Sequence, residues 1–556
     1  MSILGKKWLL LNENKKESLF NKLLRNRGVS DPEDFLNPDF EKGLHDPYLL
    51  KDMEKAVSRL EHAIENNQKI LIVGDYDVDG ISATALLLDY LLKVAKTDVS
   101  YRLPSRLDEG YGLNMGMVEE AKKAGVSLLI TVDNGISSFV EIKELQAAGI
   151  DVIVTDHHAL PEQLPPAYAI IHSLYSKQYP FKELSGVAVA YKLLQALVKK
   201  SLEEKEAEAY LKWALDLVAL GTVADCVPLK GENRVLTKFG LKVLEQTKRA
   251  GLKALFDLSR YREDTCSTET IAFYLAPRLN AAGRLESANL SVELLLTDDP
   301  KQASEIAKKL ENLNKERQEL TEKLISLAER GLRGLDKKII VSKHPKFHAG
   351  VVGLVAGRLA EKYNLPAVVL EEGKELLTAS CRSPEGFNIV EAISRHADLL
   401  DRFGGHAQAA GFTVLPKNFK ELQKSLEEFA VEILAEKDLR AQIRIDSELG
   451  EEELNFELVK SLNALEPFGM GNEQPIFLIR DLNILRIQSV GLKGKHLKLS
   501  VSKNGKNLSV IGFKLGDKKA HLSPGMQVDL VGHLEINQWN GESSLQIKLL
   551  DFAVKG

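Results

Sequence analysis

Three aspartates at alternate positions, Asp75, Asp77 and Asp79, stand in the segment "VGDYDVDGISATALL", directly after the aliphatic run Ile70 to Val73. Like charges this close repel unless cations sit between them. In extended chain, alternate side chains share one face. Further on, "TVDNG" supplies Asp133 and Asn134, and "VTDHH" supplies Asp156, His157 and His158, each after its own aliphatic run. Asp225 closes "DLVALGTVADCV", an apolar stretch in which a carboxylate needs compensation. Carboxylate oxygens joined by one or two imidazoles suit manganese or magnesium. Two such ions about 4 Å apart hold a bridging hydroxide and clamp a phosphoryl group for in-line attack. A solvated Asp-rich turn is the plain alternative for the first motif alone; recurrence of the pattern after three separate runs weighs against it.

"DYDVDG" also fits the first six positions of an EF-hand calcium loop. Position twelve of that loop should be Glu and here is Leu86, and an aliphatic run precedes the motif where a helix should. The EF-hand is rejected. The absence of a GxxxxGK[ST] loop argues against an ATPase.

The elements that must position these residues follow from periodicity. "KILIV", "VSYRL", "VSLLITV", "IDVIVT" and "YAIIH" alternate with amphipathic segments, which predicts a doubly wound parallel sheet. In such a sheet, sites form outside the carboxyl ends of the strands, where all three motifs fall. Residues 1–45 read as a helical segment, 46–300 as the parallel-sheet domain, mostly helical over 187–275, and 335–435 as a second α/β domain. Between the domains, Ile306, Leu310, Leu313, Leu320, Leu324 and Leu327 recur at helical spacing, with Arg317 in the gap, and predict one connecting helix over 301–334. From about residue 475 the period becomes two, with Asn504-Gly505 and Asn540-Gly541 as tight turns. Residues 436–556 therefore read as an OB-type β-barrel with its linker, a common single-strand binder. Trp539 and the lysines of "GLKGKHLK" offer stacking and charge there.

Bulk properties bound the rest. A chain of 556 residues is too long for one core, and 44% hydrophobic with 28% charged residues is ordinary for a soluble protein. A net charge of -5 excludes a uniformly basic coat, while 74 Lys and Arg leave room for a local basic groove. Cys226, Cys266 and Cys381 form no CxxC, which fits a reducing cytoplasm and neither a disulfide scaffold nor a zinc ribbon. The apolar run near the start is too short for a signal peptide, and no stretch reaches the roughly 18 apolar residues of a membrane span.

At this point the residues resemble the DHH phosphoesterase superfamily, through "DYDVDG", "TVDNG", "TDHH" and "GTVADCVPL". "FGGHAQAAGF" (403–412) is similar to the signature of its DHH-associated domain. "PSRLDEGYGL" (104–113), "APRLNAAGRL" (276–285), "HAGVVG" (348–353), "ASCRS" (379–383) and "LEPFGMGNEQPIF" (465–477) narrow the resemblance to the RecJ single-stranded-DNA exonucleases, over roughly residues 45–553. The resemblance implies 5′-to-3′ hydrolysis of single-stranded DNA to 5′-mononucleotides with two manganese or magnesium ions, in recombination and repair. It implies metal-site roles for Asp75, Asp77, Asp79, Asp133, His157 and Asp225, with Asp75 touching an ion or only a neighbouring ligand. It places His158 on the scissile phosphate or leaving group. Arg106, Ser380 and Arg382 resemble the pocket for the 5′-terminal phosphate, and Arg278, Asn280, Arg284 and His406 would line the strand's path. A single strand, but not a duplex, is expected to thread the cleft between the two α/β halves. Single-strand-binding protein and a helicase are the implied partners of a cytoplasmic monomer. The C-terminal domain of some longer relatives is expected to be absent.

Two departures stand out: His172-Ser173, where the family commonly has Asn-Pro, and Phe347, where a tryptophan often precedes the histidine of "HAGVVG". The alternatives are a phosphodiesterase for cyclic dinucleotides or short oligonucleotides and a non-catalytic single-strand-binding scaffold. The full ligand set weighs against the scaffold, and the barrel with "PSRLDEGYG" against the small-substrate enzyme. A manganese-dependent pyrophosphatase ranks lower still, because the chain is far too long.

Overall fold

The computed structural model describes residues 2–11, 17–106, 108–258, 266–332, 337–373, 375–435, 438–539 and 542–555. The Asn540-Gly541 turn and the Trp539 side chain lie outside the described residues, so their expected roles are not taken further. The chain forms two compact units, Phe40–Lys437 and Met1–Asp39 together with Asp438–Gly556.

The first unit opens with five parallel strands: β1 (Ile70–Val73), β2 (Val99–Arg102), β3 (Leu128–Val132), β4 (Asp151–Thr155) and β5 (Ala169–Ile171), in the order β2-β1-β3-β4-β5. The aliphatic runs divide by parity. Ile70 and Ile72 enter one apolar cluster, whereas Leu71 and Val73 enter the other. This is what a parallel sheet covered by helices on both faces requires. The chain runs from β1 out to β2 and returns to place β3 on the other side of β1, so the strand order reverses between β1 and β3. That reversal opens a crevice at their carboxyl ends. Helices α1 (Val78–Lys93), α2 (Gly186–Ser201) and α3 (Leu215–Ala224) pack together on one face, almost wholly buried.

Helix α4 (Ala276–Leu285) follows a short π-helical segment, Thr270–Leu275. The connecting helix is one continuous element, α5 (Pro300–Arg330), capped at its start by Asp299. The second sheet is mixed. β6 (Ile340–His344) and β7 (Ala367–Glu372) are parallel, and β8 (Leu377–Arg382), β9 (Leu400–His406) and β10 (Ala409–Val414) complete the order β9-β10-β8-β7-β6. Helix α6 (Ala349–Tyr363) packs on β7 and β8 and against α5.

The second unit contains the barrel. Strands Phe477–Val490, His496–Lys503, Lys506–Gly512, Glu542–Val554 and Gln527–Trp539 pair in that order, and the last pairs back to the first, closing five strands. Among these five strands the one parallel pairing, Lys506–Gly512 with Glu542–Val554, gives the OB connectivity. The amino-terminal segment adds a strand to the expected helices. It begins with strand Lys7–Leu10, parallel to Gln442–Ile445, before helices Leu19–Asn26 and Pro32–Leu36. Its Arg27 makes a buried ion pair with Asp446 at 3.0 Å and donates to Asn472 Oδ1 of the "LEPFGMGNEQPIF" segment.

Candidate metal centre and phosphate pocket

The aspartates of the first motif do not share one extended face. Strand β1 stops at Val73, and Asp77 becomes the N-cap of α1. Its Oδ1 accepts from the backbone N–H groups of Asp79 and Gly80, at 3.0 and 3.1 Å. Asp79 thus sits in the first helical turn. It accepts from the N–H groups of Gly186 and Val187, at 2.6 and 2.9 Å, at the start of α2. The cap geometry won because an Asp before a helix-forming run satisfies otherwise orphaned amide donors.

Asp133 leaves β3 with φ +61°, a conformation unusual for a non-glycine residue and concentrated at functional sites. Asn134 fixes this strand end by donating to the carbonyls of Val73 and Val132. Asp156 ends β4 fully buried. It accepts from the backbone N–H groups of Ile136, His157 and His158 and from His158 Nδ1 at 2.8 Å. Asp225 is the C-terminal cap of α3, as its place in the apolar run suggests.

Three sets of side chains bring one ligand atom each within 4.8 Å: Asp79, His157 and Asp225; Asp75, Asp77 and Asp133; and Asp133, His157 and His158. Among the described residues, Asp75 Oδ1, Asp133 Oδ1 and His157 Nε2 are buried with no hydrogen-bond partner. His157 Nε2 lies 3.1 Å from Asp133 Oδ1, yet misaligned for a hydrogen bond, and 3.6 Å from Asp225. His157 instead bonds to the Leu184 backbone, which leaves the Nε2 lone pair facing carboxylates. Lone pair against anion is repulsive; a cation between them makes both favourable. Divalent metal therefore fits these residues. Two glycines make the room: a Cβ on Gly186 would lie 2.3 Å from Asp133 Oδ1, and one on Gly221 2.6 Å from Asp79 Oδ1. Gly186→Ala is accordingly expected to weaken manganese binding about 10- to 100-fold by calorimetry, by displacing Asp133.

Burial and neighbouring carboxylates raise the acids of this centre. Burial and Asp77 push Asp79 up to about 7, burial and Asp79 push Asp225 up to about 9, and Asp75 and Asp133 rise in the same way. Burial opposes charge on His158, but Asp156 outweighs it and holds the imidazole at about 9. Burial alone would raise Asp156; bonded to His158 it falls to about 2. Burial and the His158 charge lower His157 to about 3. Between pH 6.5 and 9 the folded state of the metal-free protein therefore binds more protons than the unfolded state, through Asp79, Asp225 and His158. Stability then falls with rising pH. Below pH 6.5 His157 works in the opposite sense. Thermal melts of metal-free protein are expected to shift to lower temperature from pH 6.5 to 9. Manganese should flatten the slope; a rising slope without metal would contradict these assignments.

A second group of residues collects around the first turn of α6. His348 caps this helix. A Cβ on Gly353 would lie 3.1 Å from Ser380 Oγ and 3.5 Å from Arg382 Nη2. Arg382 Nη1 donates to Ser380 Oγ and to the Cys381 carbonyl, and Arg284 Nη1 donates to the Gly350 carbonyl at 3.1 Å. Arg106 stacks on the Tyr76 ring at 3.8 Å. Charges of Arg106 and Arg382 help lower Arg284, and that of Arg106 helps lower Arg382, after burial in both cases. Arginines set together at a helix N-terminus suit an anion.

The remaining expected strand contacts are more dispersed. Arg278 is held by Glu311 at 2.6 Å and by the Tyr274 carbonyl, and lies over the Tyr274 ring. Asn280 is half-buried on α4, and His406 is exposed at the end of β9. Gly405 beside it has φ +135°, and a Cβ there would meet Ala409 O at 2.4 Å, so the hairpin needs glycine.

Residues 69–222 match the DHH family N-terminal domain, 336–432 the DHHA1 domain and 445–551 the RecJ OB domain. The single-stranded-DNA-specific exonuclease RecJ of Haemophilus influenzae is 36% identical over 92% of this chain and 92% of its own length. The chain belongs to the RecJ family. The RecJ of Bacillus subtilis is 39% identical over 92% of this chain, but the match spans only 64% of that longer protein. A crystal structure of Thermus thermophilus RecJ in complex with Mn2+ superposes with TM-score 0.84 at 31% identity, covering 98% of this chain and 79% of that one.

Against RecJ motifs, the two departures have structural explanations. Phe347 is buried in the core beneath α6. His172 is also buried; its Nδ1 accepts from Leu174 N–H at 3.1 Å, so its Nε2–H donates to the His158 carbonyl at 2.8 Å. Tyr111 is a contact that motif reading passed over. Its hydroxyl donates to the Asp133 carbonyl at 2.9 Å and lies 3.0 Å from His158 Nδ1. Its place within "PSRLDEGYGL" was the one available signal. Asp156, too, was passed over: it accepts from the backbone N–H groups of both histidines and from His158 Nδ1.

Proposed function

We propose that the chain hydrolyses single-stranded DNA from the 5′ end to 5′-mononucleotides. The observation that carries this reading is the set of orphaned buried atoms on Asp75, Asp133 and His157 within one edge of the sheet. Asp79, His157 and Asp225 would hold one divalent ion, manganese or magnesium, and Asp75, Asp77 and Asp133 another. Such ions would supply a hydroxide nucleophile and offset phosphate charge.

The chain's own residues determine which bond breaks. Arg106, Ser380 and Arg382 hold the terminal 5′-phosphate, so the next phosphodiester faces the carboxylate centre. Water adds to its phosphorus, and the bond to the 3′ oxygen of the first nucleotide breaks. His158 carries the proton for that oxygen at Nε2, because Asp156 occupies Nδ1. The released mononucleotide keeps its 5′-phosphate and gains a 3′-hydroxyl. The shortened strand gains a new 5′-phosphate and re-enters the same pocket. Asn280, Arg284, His406 and Arg278 line the strand's path in this reading, with Arg278 exchanging Glu311 for phosphate.

The reading extends, on family grounds, to recombination and repair beside a single-strand-binding protein and a helicase, as a cytoplasmic monomer. No described helix is long and apolar enough to cross a membrane.

The test is a 3′-labelled single strand with manganese. Wild type should shorten a 5′-phosphorylated strand stepwise, degrade a blunt duplex far more slowly, and show a higher KM for a 5′-hydroxyl strand. Arg382→Ala should raise KM about tenfold or more for the phosphorylated strand alone, since a charge-assisted contact contributes about 1.5–3 kcal/mol. Binding without cleavage by wild type would move the scaffold alternative to the front.

A further inference from the structure

The connecting helix α5 carries a guanidinium that no role above employs. Arg317 Nη2 donates to Asn314 Oδ1 at 2.8 Å, and Asn314 is itself 2% exposed, so the head group is held in place. Arg317 Nε is buried and has no partner, as is Arg106 Nε in the phosphate pocket. Arg284 interacts with both charges. It feels the charges of Arg106, Arg317 and Arg382, and with burial they bring it down to about 9. Arg317 is lowered as well, by burial and then by Arg358 and Arg278. Among the described residues, Arg106, Arg284, Arg317 and Arg382 form no ion pair with a carboxylate. Nearby Arg278 and Arg358 do, with Glu311 and Glu361.

Four arginines in one run are more charge than one terminal phosphate needs, since a phosphate monoester carries about -1.5 to -2 at neutral pH. A buried donor left unpaired is costly unless a ligand meets it.

We propose that Arg317, held by Asn314, forms with Arg284 a second phosphate subsite beside the terminal pocket, which takes one further phosphoryl group. The inference rests on the terminal-phosphate reading of Arg106, Ser380 and Arg382. The second group comes from one of two sources. It is either the β-phosphate of a polyphosphorylated 5′ end or an internal phosphodiester of the strand.

Calorimetry on full-length, metal-free protein separates them without cleavage, using inorganic phosphate, pyrophosphate and a 5′-hydroxyl hexanucleotide. Arg317→Gln should leave inorganic phosphate unchanged and weaken one of the other two roughly ten- to hundredfold. Loss confined to pyrophosphate identifies the polyphosphorylated end; loss confined to the hexanucleotide identifies the internal phosphodiester. Arg317→Lys keeps the charge and should recover part of the affinity, and its melting temperature controls for folding. Equal weakening of all three ligands, or of none, overturns the second subsite. Arg382→Gln is the parallel control: it should weaken inorganic phosphate. If it does not, the terminal-pocket reading fails while the Arg317 result still stands or falls on its own ligands.

Discussion

Asp133→Asn is expected to reduce single-strand degradation by on the order of a thousandfold or more, and at the same time to raise the melting temperature of the metal-free protein. The first effect follows from lost transition-state stabilisation of several kcal/mol when a carboxylate is removed from the ion-binding set, at 1.36 kcal/mol per tenfold. The second follows from burial. Asp133 is 2% exposed, and burial with Asp79, Asp77, Asp225 and Asp75 raises its carboxyl well above the ordinary range. Without cations, ionising it beside those neighbours opposes folding. The neutral amide removes that repulsion, and asparagine tolerates the left-handed backbone that Asp133 adopts. Manganese should raise the melting temperature of wild type, because it binds only the folded centre, and should raise that of the variant much less. A variant with wild-type turnover and a wild-type manganese shift would remove Asp133 from the metal centre.

Much of this site was legible because its signal is local. An aliphatic run that stops at a charged residue marks a strand end, and parallel strands side by side bring their ends to one edge. Asp75, Asp133 and His157 follow from that alone. What failed was the assumption that β geometry continues past the strand. The residues "DVDGISATALLL" also spell an N-cap followed by a helix, and the cap places Asp77 and Asp79 in a helical turn. The pairing of Lys7–Leu10 with Gln442–Ile445 had no local signature, because strand partners over 400 residues apart share only a β pattern. Tyr111 and His172 were hidden for a related reason. Their roles are hydrogen bonds to the backbones of Asp133 and His158, and those exist only once separate loops meet. Arg278 shows the reverse: its motif matched, yet Glu311 from the connecting helix already engages it.

Asp156→Asn separates proton delivery from metal binding. In the metal-free wild type Asp156 holds the His158 imidazole at about 9, which favours the proton on Nε2. An amide removes both the hydrogen-bonded charge and the Coulombic support, and burial then drives the imidazole toward its neutral form. At pH 8 with saturating manganese, turnover should fall about 10²- to 10⁴-fold, the range for loss of a positioned acid. The alkaline limb should move toward lower pH. His158→Gln should lose as much at every pH, with no limb to shift. Both variants should recover on a strand whose scissile 3′ oxygen is replaced by sulfur, because a thiolate departs without a proton, whereas Asp133→Asn should not. An Asp156→Asn enzyme whose alkaline limb stays in place would show that the proton comes from elsewhere. Asp156 would then serve only to hold the His157-His158 loop through its bonds to the backbone of Ile136, His157 and His158.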